Sequence, residues 1–136
     1  GFLASKHGSM LIYDARADGA SKFGFFSNQG SSIVLESSSE AANSGDSGYC
    51  ANSKSHIAAI SPDAIDNTSD GFRSDADSFI VTSNPTVSGI GRFGFNAVRA
   101  SAIQIQGTIS GEASSPKLYS SSLGTVSSDR SIVIKL

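Results

Sequence analysis

The chain has 136 residues, with 10 basic against 12 acidic side chains, a net charge of −2 and only 16% charged residues. That length fits one domain with a modest core. No basic patch stands out, which argues against a nucleic-acid partner, and no apolar run reaches the ~18 residues of a membrane span, which argues against membrane insertion. Cys50 is the single cysteine, so no internal disulfide can form. The chain opens on Gly1 rather than Met and shows no signal peptide, as expected of a piece processed from something longer.

Ser, Gly, Ala and Asn are abundant. With so little charge they would suit a disordered chain, but Phe and Ile recur too regularly for that. Gly1-Phe2 opens a set of residues sharing one parity: Phe2, Ala4, Gly8, Met10 and Ile12. Gly24 opens the second copy with Phe25, Ser27, Ser31, Ile33 and Leu35. Gly48 opens the third with Tyr49, Ala51, Ser55, Ile57 and Ala59. Gly71 opens the fourth with Phe72, Ser74, Ser78, Ile80 and Thr82, and Gly94 the fifth with Phe95, Ala97, Ser101, Ile103 and Ile105. The copies are 23, 24, 23 and 23 residues apart. Internal repetition of this kind decides the fold before any single residue does.

Shared parity is the period-2 alternation of strands with one buried face. Asn28-Gln29-Gly30 and Asn52-Ser53-Lys54 read as turns between two strands. Ser61-Pro62 and Asn84-Pro85 end the second strand of their copies. A short third segment follows at Ala64-Ile65, Thr86-Val87-Ser88 and Thr108-Ile109-Ser110. The glycine column demands either a positive φ or a close backbone approach. The pattern predicts an all-β chain: a β-solenoid, or right-handed β-helix-like stack, of about five 23–24-residue coils, a rod of roughly 24 Å. Residues 1–110 form the array, with repeats starting at 1, 24, 48, 71 and 94. Residues 111–136 form a degenerate copy or C-terminal cap, in which Gly124, Ser131 and Val133 echo the glycine, serine and aliphatic columns. Ala and Ser at many inward places make the apolar columns thin, and the array has open strand edges. The open edges are expected where the chain was trimmed or where preceding coils continue the stack, and the thin columns predict packing between chains in a homotrimeric fibre, with a lone β-helix as the alternative.

Few residues suggest chemistry. Asp66, Thr68, Asp70, Gly71 and Asp77 fall at positions 1, 3, 5, 6 and 12 of a calcium loop of the EF-hand kind, so Asp66, Thr68, Asp70 and Asp77 are the candidate calcium ligands. Position 12 is Asp rather than Glu and no helix is expected beside it, so a solvated acidic turn is the expected reading, with no metal or other cofactor. Gly45-Asp46-Ser47-Gly48 matches the start of a serine-protease nucleophile motif. Gly89-Ile90-Gly91-Arg92-Phe93-Gly94 matches G-x-G-x-x-G. Both end on the repeat glycine and read as turns. His7, His56 and Cys50 occupy different columns, too few for a zinc site, and read as turn or surface residues. Asp75 and Asp77, alternating on one strand with Asp63 nearby in sequence, are a carboxylate pair that could serve glycoside hydrolysis, though Asp and Glu are otherwise scattered and activity is not expected. Tyr13, Phe23, Phe26, Phe79, Phe93 and Tyr119 lie off the aromatic column and pack along the stack or present rings to a ligand.

Gly48-Tyr49-Cys50-Ala51-Asn52-Ser53-Lys54-Ser55-His56-Ile57-Ala58 resembles the Gly-aromatic-x-Ala…Ser-x-Ile repeats of viral tail fibres and of trimeric autotransporter adhesin heads. The adhesin repeats are shorter than 23 residues, and phage tailspikes match the period better. Ser128-Asp129-Arg130 is similar to the opening of the self-cleaving chaperone domains that follow many phage fibres. The resemblance implies a trimeric attachment part on a virion surface or otherwise extracellular, not an enzyme, that binds a host-surface glycan. A glycan-cleaving tailspike fragment and an ice-binding solenoid are the alternatives. The latter needs a regular outward Thr face, and Thr occurs only sporadically in these columns, as at Thr82.

Overall fold

In the computed structural model, which describes residues 1–111, 117–122 and 124–128, the chain winds into a β-solenoid with no helix among those residues. Each coil contributes up to three strands. The first coil holds β1 (Phe2–Ala4), β2 (Ser9–Ile12) and β3 (Arg16–Asp18). The second holds β4 (Phe25–Asn28), β5 (Ser32–Leu35) and β6 (Ser39–Ala42), and the third β7 (Tyr49–Asn52), β8 (His56–Ile60) and β9 (Pro62–Ile65). The fourth holds β10 (Phe72–Asp75), β11 (Phe79–Ser83) and β12 (Thr86–Ser88), and the fifth β13 (Phe93–Val98) and β14 (Ala102–Gln106). β15 (Lys117–Ser122) and β16 (Thr125–Ser128) follow. Like strands stack in parallel: a first sheet β1-β4-β7-β10-β13-β15, a second β2-β5-β8-β11-β14-β16 and a third β3-β6-β9-β12.

Parallel sheets are usually buried on both faces. Here the coil closes on itself, so each sheet turns one face to the core, and the strands alternate except on the first sheet, where outward Cys50, Asp75 and Asn96 are buried too. Phe2, Phe25, Tyr49, Phe72 and Phe95 pair in register down the first sheet. Their rings stack with centroids 4.7–5.1 Å apart and planes within 10°, close to the spacing of hydrogen-bonded strands. Met10, Ile33, Ile57, Ile80 and Ile103 form the matching ladder of the second sheet. From Phe25 to Phe95 and from Ile33 to Ile103, both ladders are fully buried.

The small inward residues are the counterpart of these large ones. Ala17, Ala41, Ala64 and Val87 line the inside of the third sheet, which lies within reach of the aromatic column. The Tyr49 hydroxyl extends to the Ser39 and Asp63 carbonyls of the third sheet, at 2.9 and 3.2 Å. A thin apolar column therefore does not mean a deficient core: from Phe25 to Phe95 and from Ile33 to Ile103 the core columns are buried within a single chain. Close approach explains the repeat glycines as well. A Cβ on Gly24 would lie 2.6 Å from the Ala41 Cβ, and one on Gly71 would lie 2.7 Å from the Gly94 carbonyl oxygen.

The corners follow a rule that composition does not disclose. Between the first and second strands every coil places two successive residues at positive φ: Lys6-His7, Gln29-Gly30, Ser53-Lys54, Ala76-Asp77 and Arg99-Ala100. The serine after each pair supports this turn. The Ser31 amide donates to the Ser55 hydroxyl at 3.2 Å, and the Ser55 amide to the Ser78 hydroxyl at 3.0 Å. The next corner has one left-handed residue, Asp14, Ser61, Asn84 or Gly107. In the second coil no residue there has positive φ, and the pairings Leu35–Ile12 and Glu40–Arg16 differ by one in offset. The extra residue of the single 24-residue spacing is thus absorbed at Glu36-Ser37-Ser38. Pro62 begins β9 rather than ending β8, where its missing N–H is harmless.

Beyond residue 111 two expectations change. Tyr119 pairs with Phe95, so it belongs to the aromatic column and not outside it. Gly124 precedes Thr125, the partner of Ala102, so it stands in the column of Ser101 and not in the glycine column. Ser131, Val133, Asp129 and Arg130 lie outside the described residues. Ile57 and Ile80 are both fully buried, so Ile57→Ala or Ile80→Ala should each cost about 2–5 kcal/mol, measured by urea unfolding. A loss under about 1 kcal/mol would mean that this ladder is not the packed core.

Candidate functional site

Because inward positions are filled by the core, any function falls to outward columns and corners. The three outer faces differ in chemistry. On the third sheet, Arg16 bridges Asp18 at 2.9 Å and Glu40 at 3.0 Å, and Asn43 donates to Asp18 at 2.9 Å. The Asn43 bond, with Arg16, holds the exposed Asp18 carboxyl below its ordinary value. Asp14, Arg16, Glu40 and Asp63 line a polar depression of about 220 Å³.

The outer face of the second sheet carries almost no charge. Its columns are Ser32, His56, Phe79 and Ala102, and Leu11, Val34, Ala58, Val81 and Gln104. His56 lies flat on Phe79, with centroids 5.5 Å apart and planes within 1°, and burial favours the neutral imidazole. Leu11 and Ile60 are 58% and 47% exposed. Val34, Ala58, Ile60, Val81, Ser83 and Gln106 share a depression of about 260 Å³. Tyr13, just past β2, is 64% exposed.

The first sheet presents a third kind of surface. Leu3, Phe26, Cys50, Arg73 and Asn96 form one outward column. Phe26 pairs with Phe23, with centroids 4.5 Å apart and planes tilted by 36°. Together with Leu3, Ser21 and Lys22 the two rings line a depression of about 180 Å³. Cys50 is not a surface residue: it is buried, and burial pushes its thiol up to about 12 despite Arg73 nearby. The thiolate is the reactive form, so this thiol is inert at neutral pH.

Charge on this face is organised around two buried carboxylates. Asp75 accepts both Nε and Nη2 of Arg99, at 2.5 and 2.6 Å, and Nη2 of Arg73 at 3.1 Å. Burial alone would raise its pKa, but the Arg99 and Arg73 hydrogen bonds and charges outweigh burial and hold the carboxyl below the ordinary range. Asp70, fully buried, accepts Asn96 Nδ2 at 2.9 Å and lies 3.5 Å from Arg92 Nε. There burial wins over the Asn96 bond and the Arg92 and Arg73 charges, and the carboxyl is raised.

The calcium-loop residues are not brought together. Asp66 forms the corner after β9 at φ 52°, and its amide donates to the Ser88 carbonyl. Thr68 donates its amide to the Ser44 carbonyl, Asp70 faces Asn96, and Asp77 occupies the corner between β10 and β11 at φ 57°. Among the described residues no group of three or more His, Cys, Asp or Glu side chains is placed to hold a metal ion. Asp75 ends β10 while Asp77 lies in the following turn, so they do not alternate on one strand, and Asp63 belongs to the third sheet. The Ser47 hydroxyl bonds the Asp46 carboxylate at 3.0 Å. Gly89 has φ 60°, and strand β13 follows the glycine-rich turn where a dinucleotide fingerprint needs a helix. Thr82 points into the core, fully buried.

Sequence reasoning missed the Asp75–Arg99 and Asp70–Asn96 pairs. Their separations, 24 and 26 residues, are one coil plus a small offset, which is the signal that could have found them. It also missed Asn67, fully buried, which donates to the Ala41 carbonyl at 2.9 Å and accepts the Ser44 amide at 3.0 Å. Comparison of the chain with known protein families, curated proteins and solved structures gives no match.

Two measurements follow. A lowered carboxyl stabilises the fold above its unfolded pKa of about 3.9 and loses that contribution as pH falls through the folded value. Asp75→Asn should therefore cost about 1–2 kcal/mol at pH 7, allowing for the screening of exposed Arg99, and the gap to the parent should close toward pH 2 in acid-unfolding series. A gap that persists in acid would mean that charge is not its origin. With the candidate calcium ligands dispersed, chelation should leave the melting temperature unchanged, and a calcium-dependent shift abolished by Asp70→Ala would overturn that.

Proposed function

We propose that this chain is a structural and receptor-binding segment of a viral tail fibre or comparable surface adhesin, working at a virion surface or otherwise outside the cell. It assembles as a homotrimer and attaches through a host-surface glycan. The observation that carries this reading is the partition of the outer surface: one sheet face whose strands hold no Asp, Glu, Lys or Arg, with Glu36 at its edge, beside two faces with organised charge. Contiguous apolar surface on a folded chain marks interaction. The Leu11, Val34, Ala58 and Val81 column can meet identical surfaces without charge repulsion. Since the core closes within one chain, the drive to assemble comes from this outer column rather than from missing core.

The glycan contact falls on the Phe23–Phe26 pair. Two half-buried rings beside Ser21 and Lys22 combine an apolar stacking platform with hydrogen-bond donors, the mixture that ligand sites employ.

Light scattering at micromolar concentration should give three times the chain mass of 13.9 kDa. Ala58→Lys with Val81→Lys should lower it to one chain without lowering the melting temperature. Phe23→Ala or Phe26→Ala should weaken retention on immobilised glycans by about tenfold, or ~1.4 kcal/mol, with the mass unchanged. A strictly monomeric parent chain would remove the fibre reading, and glycan retention indifferent to both rings would remove the assignment of the contact.

A further inference from the structure

Asp70 and Asn96 present an arrangement that neither packing nor ligand binding has used. The Asp70 carbonyl end is anchored in the stack, accepting the Gly48 amide at 3.0 Å. Its side chain spans to the next coil, where Asn96 Nδ2 donates to Oδ2 at 2.9 Å. Both residues are buried, Asp70 completely and Asn96 to within 2%. The remaining oxygen of each, Asp70 Oδ1 and Asn96 Oδ1, is buried without a hydrogen-bond partner. Two orphan acceptors, buried without a hydrogen bond, are costly, since each forfeits its bonds to water, and only Asp70 Oδ1 has a charge near it, Arg92 Nε at 3.5 Å.

We propose that Asp70 and Asn96 form a proton-operated latch between the turn leading into the fourth coil and the first strand of the fifth. One proton taken from solvent onto Asp70 Oδ1 lets that O–H donate to Asn96 Oδ1, while Asn96 Nδ2 keeps its bond to Oδ2. The result is a two-bond carboxylic acid–amide ring, in which a single proton satisfies both orphans. The carboxylate loses its charge, and Arg92, 3.5 Å from Oδ1 and 53% exposed, loses its counter-ion. Its guanidinium, 5.1 Å from the Phe93 ring centroid, is freed to face solvent.

The groups that face Asp70 oppose one another. Arg92, from the turn before β13, and Arg73, on β10, favour the carboxylate, whereas Asp46, from the turn before β7, disfavours it. Cys50, on β7, stays a neutral thiol and adds no charge. Burial, the largest influence, favours the proton. A raised carboxyl pKa means that the folded chain binds the proton at a pH where the unfolded chain releases it. The latch therefore stabilises the fold on the acid side, and that contribution is lost as pH rises through the folded value. Asp75 has the opposite sign, so the two are separable.

The test is a carbon-detected NMR titration of the Asp70 carboxyl in the full chain, with the Asn96 side-chain amide followed in parallel. Asp70 should titrate above an ordinary Asp, and the Asn96 amide resonances should move with the same midpoint. Arg92→Ala, which removes an exposed side chain, should raise that midpoint further. As pH is lowered from 7 through the Asp70 midpoint found in that titration, the change in melting temperature should be more favourable in the parent than in Asp70→Asn. A midpoint at or below that of an ordinary Asp, an Asn96 amide indifferent to the titration, or an Arg92→Ala midpoint unchanged would each overturn the latch.

Discussion

Everything in this molecule depends on stacking each side chain on its own kind at the spacing of hydrogen-bonded strands. Every inward position becomes a column; the column of Ile12, Leu35, Ala59, Thr82 and Ile105 varies in size, whereas the aromatic and isoleucine columns repeat. The aromatic column achieves this with rings lying flat on one another, an arrangement that adds to the area they bury. The isoleucine ladder does so with β-branched side chains suited to a pleated surface. Where a column departs from its size, another compensates: Tyr49 brings a hydroxyl into the aromatic column, and carbonyls of the third sheet accept it.

The same constraint shapes the corners. A coil of about 23 residues must turn three times without losing backbone hydrogen bonds, and a short turn into a parallel stack requires left-handed residues. Fourteen non-glycine residues among those described have positive φ, although such a conformation costs roughly 1–2 kcal/mol for an L-residue. The stack compensates by handing amides from corner to corner: His7 donates to the Gln29 carbonyl, Gly30 to Ser53, Lys54 to Ala76 and Asp77 to Arg99. The serine column adds hydroxyl acceptors to the same ladder. The 24-residue coil shows how narrow the tolerance is. Its added residue falls at the corner that needs only one left-handed residue, and the flanking strands keep their register.

Outside the core the columns are free to differ, and there the chain's individuality resides. Carboxylates on the first sheet are buried and matched to arginines, those on the third are largely solvated, and the second sheet is left without either. Asp70 and Asp75, five residues apart, are shifted in opposite directions. The difference lies in their partners, since a bidentate guanidinium fixes a charge that one amide and a distant guanidinium do not.

The sequence by itself determined the period, the parity of the strands and the membership of the inward columns. Those are local, period-2 features written five times over, so Phe25, Ile57 or Ala97 could be assigned inward from spacing alone. Tertiary structure decided what lies between the columns. Ala76, Arg99 and Ala100 carry no mark of a left-handed conformation, because the geometry of the stack imposes it. Cys50 sits at an outward position by parity, yet it is buried between Phe26 and Arg73 on the neighbouring coils. Asp66, Thr68, Asp70 and Asp77 are spaced like a cation loop, but the solenoid puts strand β10 between the first three and Asp77, which lies at the next corner. Asp75 meets Arg99, and Asp70 meets Asn96, across one coil plus a residue or more. Such diagonal pairs lie one coil plus a small offset apart, and which offset brings two side chains together depends on where each corner ends.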